Sequence, residues 1–195
     1  MTSELIVVDA AAWRAWLDER HADQPEGVWL VLARKGFTTP TSLTYAEALD
    51  EALCYGWIDG QKKSRDERTS VQRFTPRRAR STWSQRNVGK VAQLEADGRM
   101  HSAGRAEVER AKADGRWEKA YAAPSKQEVP EDLAAALAAE PKAQAMFEIL
   151  TSANRFAVVY RVNGAKRPET RARRIAQFVE QLSRGETVYP QKRTL

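Results

Sequence analysis

Apolar positions in the first half of the chain change period several times, and each change marks an element. Trp13, Trp16 and Leu17 recur at helical spacing behind Asp9, which predicts a short helix capped by that aspartate and ending near His21. Residues 27–33, Gly-Val-Trp-Leu-Val-Leu-Ala, are a continuous apolar run rich in strand formers, which predicts a strand buried on both faces and ended by Arg34-Lys-Gly36. Thr44-Tyr-Ala-Glu47 is a capping box, and Tyr45, Leu49, Ala52 and Leu53 follow at helical spacing, so a helix is expected over about 44–54. After Gly56 the period falls to two. Strands are expected near 57–64 and 69–75, joined at Arg65-Asp-Glu-Arg68 and closed by Pro76, which has no N–H for a ladder.

From Ser84 the period is helical again. Ser84 caps a helix with Val88, Val91 and Leu94 on its buried stripe and Gly98 at its stop; a second runs over about 103–113 to Gly115. Residues 122–127, Ala-Ala-Pro-Ser-Lys-Gln, are a linker pattern, and beyond Pro130 only helical patterns occur. Pro141 separates two helices, Ser152 or Asn154 opens another ending at Asn163-Gly164, and Pro168 occupies the first turn of the last, whose apolar face is Ile175, Phe178, Val179 and Leu182. The expected architecture is α+β: a domain over 1–122 in which a small, mostly antiparallel sheet packs with helices, then a helical subdomain over 130–188.

Composition narrows the class. Six tryptophans and 42% hydrophobic residues can build a core without staples, and the single cysteine excludes an internal disulfide. The run Leu5-Ile-Val-Val is too short for a signal-peptide core, and no segment is apolar enough for stable membrane insertion, so a cytoplasmic protein is expected. His21 and His101 lie too far apart in sequence to suggest a ligand pair, and no metal or cofactor motif occurs. The net charge of +6 is unevenly held: residues 61–90 carry 10 basic and 2 acidic side chains and residues 155–195 carry 10 and 3, so an anionic partner would be drawn to these two segments.

The candidate chemistry sits at Gly56-Trp-Ile-Asp-Gly60 and in the arginine-rich stretch after it. Asp59 is an acid in a glycine-bracketed turn beside Trp57, suited either to a buried ion pair with Arg73 across the hairpin or to proton transfer. Arg73, Arg77, Arg78 and Arg80 fall within eight residues and interleave with Phe74 and Trp83. Guanidinium forks bind phosphate or carboxylate and stack on aromatic planes. The helix N-terminus at Ser84 adds free N–H groups, with Asn87 in its first turn. Cys54 ends a helix, where the dipole disfavours a thiolate, so it reads as core. In the last helix, Arg167, Arg171, Arg173 and Arg174 sit at the N-terminal end, where cations oppose the dipole unless an acid or an external anion offsets them.

Three stretches, residues 51–60 (EALCYGWIDG), residues 72–87 around QRFTPRR and STWS, and residues 165–175 (AKRPETRARRI), resemble in order the signatures of the YdeI/OmpD-associated, or bacteriocin-protection, family, a likeness spanning nearly the whole chain. The resemblance implies a role in stress response or antimicrobial-peptide resistance and brings no reaction, cofactor or catalytic residue with it. Joined to the residue reading, it leads to a non-enzymatic protein that binds an anionic small molecule or a peptide between the hairpin and the helix at Ser84, on Trp57, Asp59, Arg73, Phe74, Arg77, Arg78, Trp83, Ser84 and Asn87. The alternatives are a nucleic-acid-binding protein and a hydrolase using Asp59 as base.

Overall fold

A computed structural model describes residues 4–122 and 128–195, which divide into two compact units, residues 1–121 and 122–195. Most of the expected linker, residues 123–127, lies outside the described residues.

Among the described residues the first unit is a four-stranded sheet with four helices. Strand β1 (Glu4–Leu5) pairs in parallel with β2 (Val28–Ala33); β2 pairs antiparallel with β4 (Thr69–Pro76), and β4 with β3 (Trp57–Ser64), so the order is β1-β2-β4-β3. The sheet is therefore mixed, with two of its three pairings antiparallel as expected and a parallel edge that the apolar run at Leu5 did not announce. Helix α1 (Ala10–Arg20) is capped by Asp9, whose carboxylate accepts from the Ala12 N–H. In α2 (Tyr45–Cys54) both arms of the capping box close: Thr44 Oγ1 accepts from the Glu47 N–H and Glu47 Oε2 from the Thr44 N–H. Helices α3 (Gln85–Ala96) and α4 (Ser102–Ala113) follow, the first capped by Ser84 and the second by His101.

Alternation along β2 decides which face meets the helices. Val28, Leu30 and Leu32 enter a core with Trp13, Leu17, Leu49, Leu53, Trp57 and Phe74. Trp29 and Val31 face away, opposite Arg73 and Val71 of β4. Val31 and Val71 are buried yet belong to neither of the two hydrophobic clusters, so the strand expected to have both faces in the core has one. Trp13 is the hub of the aromatic packing, with ring centroids 5.1 Å from Trp16, 6.3 Å from Trp57 and 5.9 Å from Phe74.

The described elements of the second unit are all helices: α5 (Glu131–Ala138), α6 (Pro141–Glu148), α7 (Ser152–Asn163) and α8 (Pro168–Ser183). Its core is Leu133, Leu137, Met146, Phe147, Val158, Val162, Ile175, Phe178 and Leu182. The cap of α7 is Thr151, whose hydroxyl accepts from the Asn154 N–H, rather than Ser152 or Asn154. Asn154 has another use. Wholly buried, it donates through Nδ2 to Tyr189 O and Gln191 Oε1 and accepts from the Tyr189 N–H, which ties the C-terminal segment to α7. At the start of α8, Arg171 forms a two-pronged pair with Asp132 of α5 at 2.5 and 2.8 Å, so an internal acid offsets one of the cations that oppose the dipole there. No described helix is long and apolar enough to cross a membrane.

Candidate functional site

The corner at residues 56–60 is built by close approach. Gly56 takes a positive φ of 74°, and a Cβ there would come within 2.7 Å of Glu107 Cγ on α4. Gly104 lets α4 lie against the end of α2: a Cβ on it would stand 2.1 Å from the Cys54 carbonyl oxygen. That carbonyl accepts from the His101 N–H just before α4. Cys54 is wholly buried, and burial foremost pushes its thiol up to about 11, in keeping with a packing role.

The corner and the arginine loop divide the predicted site residues among three places. Trp57 and Phe74 belong to the core: Trp57 is 1% exposed, donates from Nε1 to His21 O and packs edge-on against Trp13 and Trp16, while Phe74 is wholly buried. Asp59 stands opposite Phe74 on the helix-covered face and accepts from the Tyr45 hydroxyl at 2.9 Å. Burial first, then the Asp59 carboxylate, push the Tyr45 phenol up to about 12, and the Arg86 guanidinium lies 5.6 Å over its ring. The expected ion pair of Asp59 with Arg73 does not form. Arg73 faces the other side of the sheet, where it lies 5.7 Å over Trp29 and donates to Glu26 O. Tyr45→Phe is expected to cost about 1 kcal/mol, the usual value of such a bond, in urea unfolding; an unchanged midpoint would show that Asp59 takes no support from it.

Arg77 and Trp83 form the third place. Arg77 is 6% exposed, and its guanidinium lies 3.6 Å from the centre of the Trp83 ring. Its backbone N–H donates to Gly56 O, which ties the arginine loop to the corner, and Nη1 donates to Thr82 O. Nε and Nη2, the two donors along one edge of the fork, are buried with no hydrogen-bond partner among the described residues. Burial foremost lowers Arg77 to about 10, which leaves it charged at neutral pH, while Glu107, Tyr121 and Asp59 favour the charge and Arg116 opposes it. Around it, Trp83 Nε1, Arg116 Nη2 and Glu107 Oε2 are also buried without a hydrogen-bond partner among the described residues.

The segment after α4 completes this place. Arg116 donates from Nη1 to Ser81 O, Trp117 meets Trp83 edge-on with centroids 4.8 Å apart, and the Tyr121 N–H donates to Trp83 O. Ser84 spends its hydroxyl on capping α3 by accepting from the Asn87 N–H, and Asn87 is buried. Arg78 is exposed, its backbone N–H held by Ser81 Oγ. Of the nine predicted residues, then, Arg77 and Trp83 are in direct contact, Ser84 and Asn87 hold the adjoining helix start, Asp59 acts on Arg77 electrostatically, and Trp57, Phe74, Arg73 and Arg78 point elsewhere. Glu107, Arg116 and Trp117 were missed. Gly104 is the one local hint of them, since a glycine inside a helix costs about 1 kcal/mol relative to alanine and can be kept for a close contact, but Gly89 carries the same mark with nothing near it.

The two histidines also come together. Their rings lie 5.1 Å apart, with Tyr55 stacked on His101 at 4.9 Å and its hydroxyl donating to Asp18 at 2.5 Å. Sequence separation was a poor guide here. Among the described residues no group of three or more histidine, cysteine, aspartate or glutamate side chains is placed to hold a metal ion.

Comparison with known proteins divides at the boundary between the two units. Residues 5–107 match the family described as Domain of unknown function (DUF8412), and residues 126–185 match the family described as Bacteriocin-protection, YdeI or OmpD-Associated. No curated protein and no solved structure matches the chain. The bacteriocin-protection likeness is thus confined to the C-terminal part, and the corner and arginine-loop stretches that seemed to carry it lie in the other family's territory. The chain belongs to the DUF8412 family through its first unit and carries a YdeI/OmpD-associated domain in its second.

Proposed function

We propose that this is a non-enzymatic binding protein whose first unit takes an anionic group, from a small molecule or a peptide, onto the guanidinium of Arg77. One observation carries the reading: Nε and Nη2 of a residue that is 94% buried have no hydrogen-bond partner among the described residues. A buried donor left unmade costs about 1–3 kcal/mol, more when charged, and these two lie on the edge that grips carboxylate or phosphate in two parallel bonds. Stacking on Trp83 holds the plane of the fork, so little freedom would be lost on binding. Asp59, engaged by Tyr45, supports a positioning role better than that of a hydrolytic base.

The description of the second unit's family supports a part in protection against bacteriocins. A net charge of +6 opposes direct capture of a cationic peptide, so the protective effect we infer runs through the anionic ligand. Thermal unfolding in rising inorganic phosphate and N-acetylglutamate tests the reading. The wild type should gain about 2.7 kcal/mol at a hundredfold excess of ligand over Kd. Arg77→Met fills the same space without charge; Arg77 has no salt bridge among the described residues and Glu107 keeps its pair with Arg110, so the variant breaks no ion pair and should fold yet show no gain. Arg73→Ala should keep the gain, because Arg73 faces away. Equal gains in wild type and Arg77→Met would end the proposal.

A further inference from the structure

Ion pairing in the first unit is unevenly distributed. Of the cations in the helices and their connections, Arg14, Lys90, Arg99, Arg105, Arg110, Lys112 and Arg116 each sit on a carboxylate, while Arg20, Arg77, Arg78, Arg80, Arg86 and Lys119 do not among the described residues. Those of the β3–β4 hairpin and the end of β2 largely do not. Arg65 is paired with Glu4 and Asp66, but Arg34, Lys35, Lys63, Arg68 and Arg73 have no carboxylate partner among the described residues. All but the half-buried Arg73 are exposed. A patch of one sign that its own fold leaves unneutralised attracts the opposite sign from outside.

Two aromatic rings lie inside this patch. Trp29, half-buried on the sheet face turned away from the helices, has Lys63 Nζ 4.2 Å from its centre and Arg73 at 5.7 Å. Phe37 is 41% exposed just beyond β2, with the Arg68 guanidinium 5.9 Å over its ring. Arg34 joins the two groups: it donates to Ser64 Oγ and Thr69 O, its backbone N–H donates to Arg68 O, and its carbonyl accepts from the Phe37 N–H. The cations and the rings therefore run along one surface, from the middle of the sheet to the hairpin end.

We infer that this surface binds single-stranded nucleic acid, with phosphates on the unpaired cations and bases stacked on Trp29 and Phe37. A strand with unpaired bases fits both features, since it offers a regular line of negative charge and flat apolar faces between the charges. A duplex keeps its bases stacked inside, and an acidic protein surface supplies charge without the rings. The binding proposed at Arg77 uses none of these residues, so either proposal can fail alone.

Fluorescence anisotropy of a labelled 20-nucleotide oligothymidylate, titrated with full-length protein between 50 and 300 mM salt, tests the inference. With about four phosphates contacted, log Kobs should fall against log salt with a slope of about −3. The pair Lys63→Gln with Arg68→Gln should reduce that slope by about 1.4. Phe37→Ala, and Trp29→Leu as a substitution that keeps apolar cover, should each weaken binding roughly 5- to 100-fold with the slope unchanged. Absence of binding at 50 mM salt would overturn the inference. So would unaltered affinity in both aromatic variants, equal affinity for a duplex of the same length, or equal displacement by polyglutamate, each of which marks an unselective charged surface.

Discussion

Gly104→Ala is expected to destabilise the first unit by about 2–3 kcal/mol, the scale of an overpacked contact. Helix propensity alone argues the opposite sign, because alanine inside a helix is favoured over glycine by about 1 kcal/mol. The contact decides. The new methyl would stand 2.1 Å from Cys54 O and 2.9 Å from Met100 Cε, and the first of these is backbone at the end of α2 that has no rotamer to give. Gly89 supplies the control: it lies in α3 with nothing within 4 Å of its built Cβ, so Gly89→Ala should gain about 0.5–1 kcal/mol. Urea midpoints of the two variants should therefore move in opposite directions. A stabilised Gly104→Ala would mean that α4 does not press on α2 as described.

Asn154→Ala is expected to cost about 3 kcal/mol in the second unit. One side chain bonds both backbone groups of Tyr189 and the Gln191 amide oxygen, and its loss removes three hydrogen bonds at about 1 kcal/mol each; Tyr189 O keeps the Thr187 hydroxyl and Gln191 Oε1 the Thr151 N–H, so the Tyr189 N–H is the group left without its acceptor. Amide exchange separates this from a general loosening. The Tyr189 N–H should lose its protection far more than the amides of α5 and α6. Asn154→Asp keeps the acceptor for that N–H and loses the donors, so it should fall between the two. Normal protection of Tyr189 in Asn154→Ala would remove the anchoring role.

Elements governed by residues close in sequence were legible before the fold was known. Thr44 and Glu47, Asp9, Ser84 and Pro168 each act within four residues of themselves, and the structure places helix starts at all of them. The hairpin was equally plain, since alternation and Arg65–Arg68 set its strands to within a residue. Strand β1 was missed because two residues carry no period and its partner is remote. At α7, Thr151, Ser152 and Asn154 are all good caps, and only the fold shows that Asn154 is needed elsewhere.

The site was legible in part for the same reason. Alternation alone places Arg73 opposite Phe74, and grouping it with Arg77 overlooked that consequence of the pleat. Beyond Pro76 the chain leaves the strand, and no local rule says that Arg77 will fold under Trp83. Glu107 and Arg116 arrive from the far side of two helices, a tertiary event that charge counting over a window cannot register. His21 and His101 meet across 80 positions for the same reason.

Among the described residues strand β3 has β4 on one side and no strand on the other, and a strand so placed is a template on which another chain could grow. Two of its features spoil the template. The ladder slips between Asp59 and Lys62, so the free row of amides is not evenly spaced, and consecutive exposed lysines at 62 and 63 would meet their own charge in any matching neighbour. Lys63, one of the cations proposed to meet a polyanion, thus also works with Lys62 against one molecule's sheet continuing into the next.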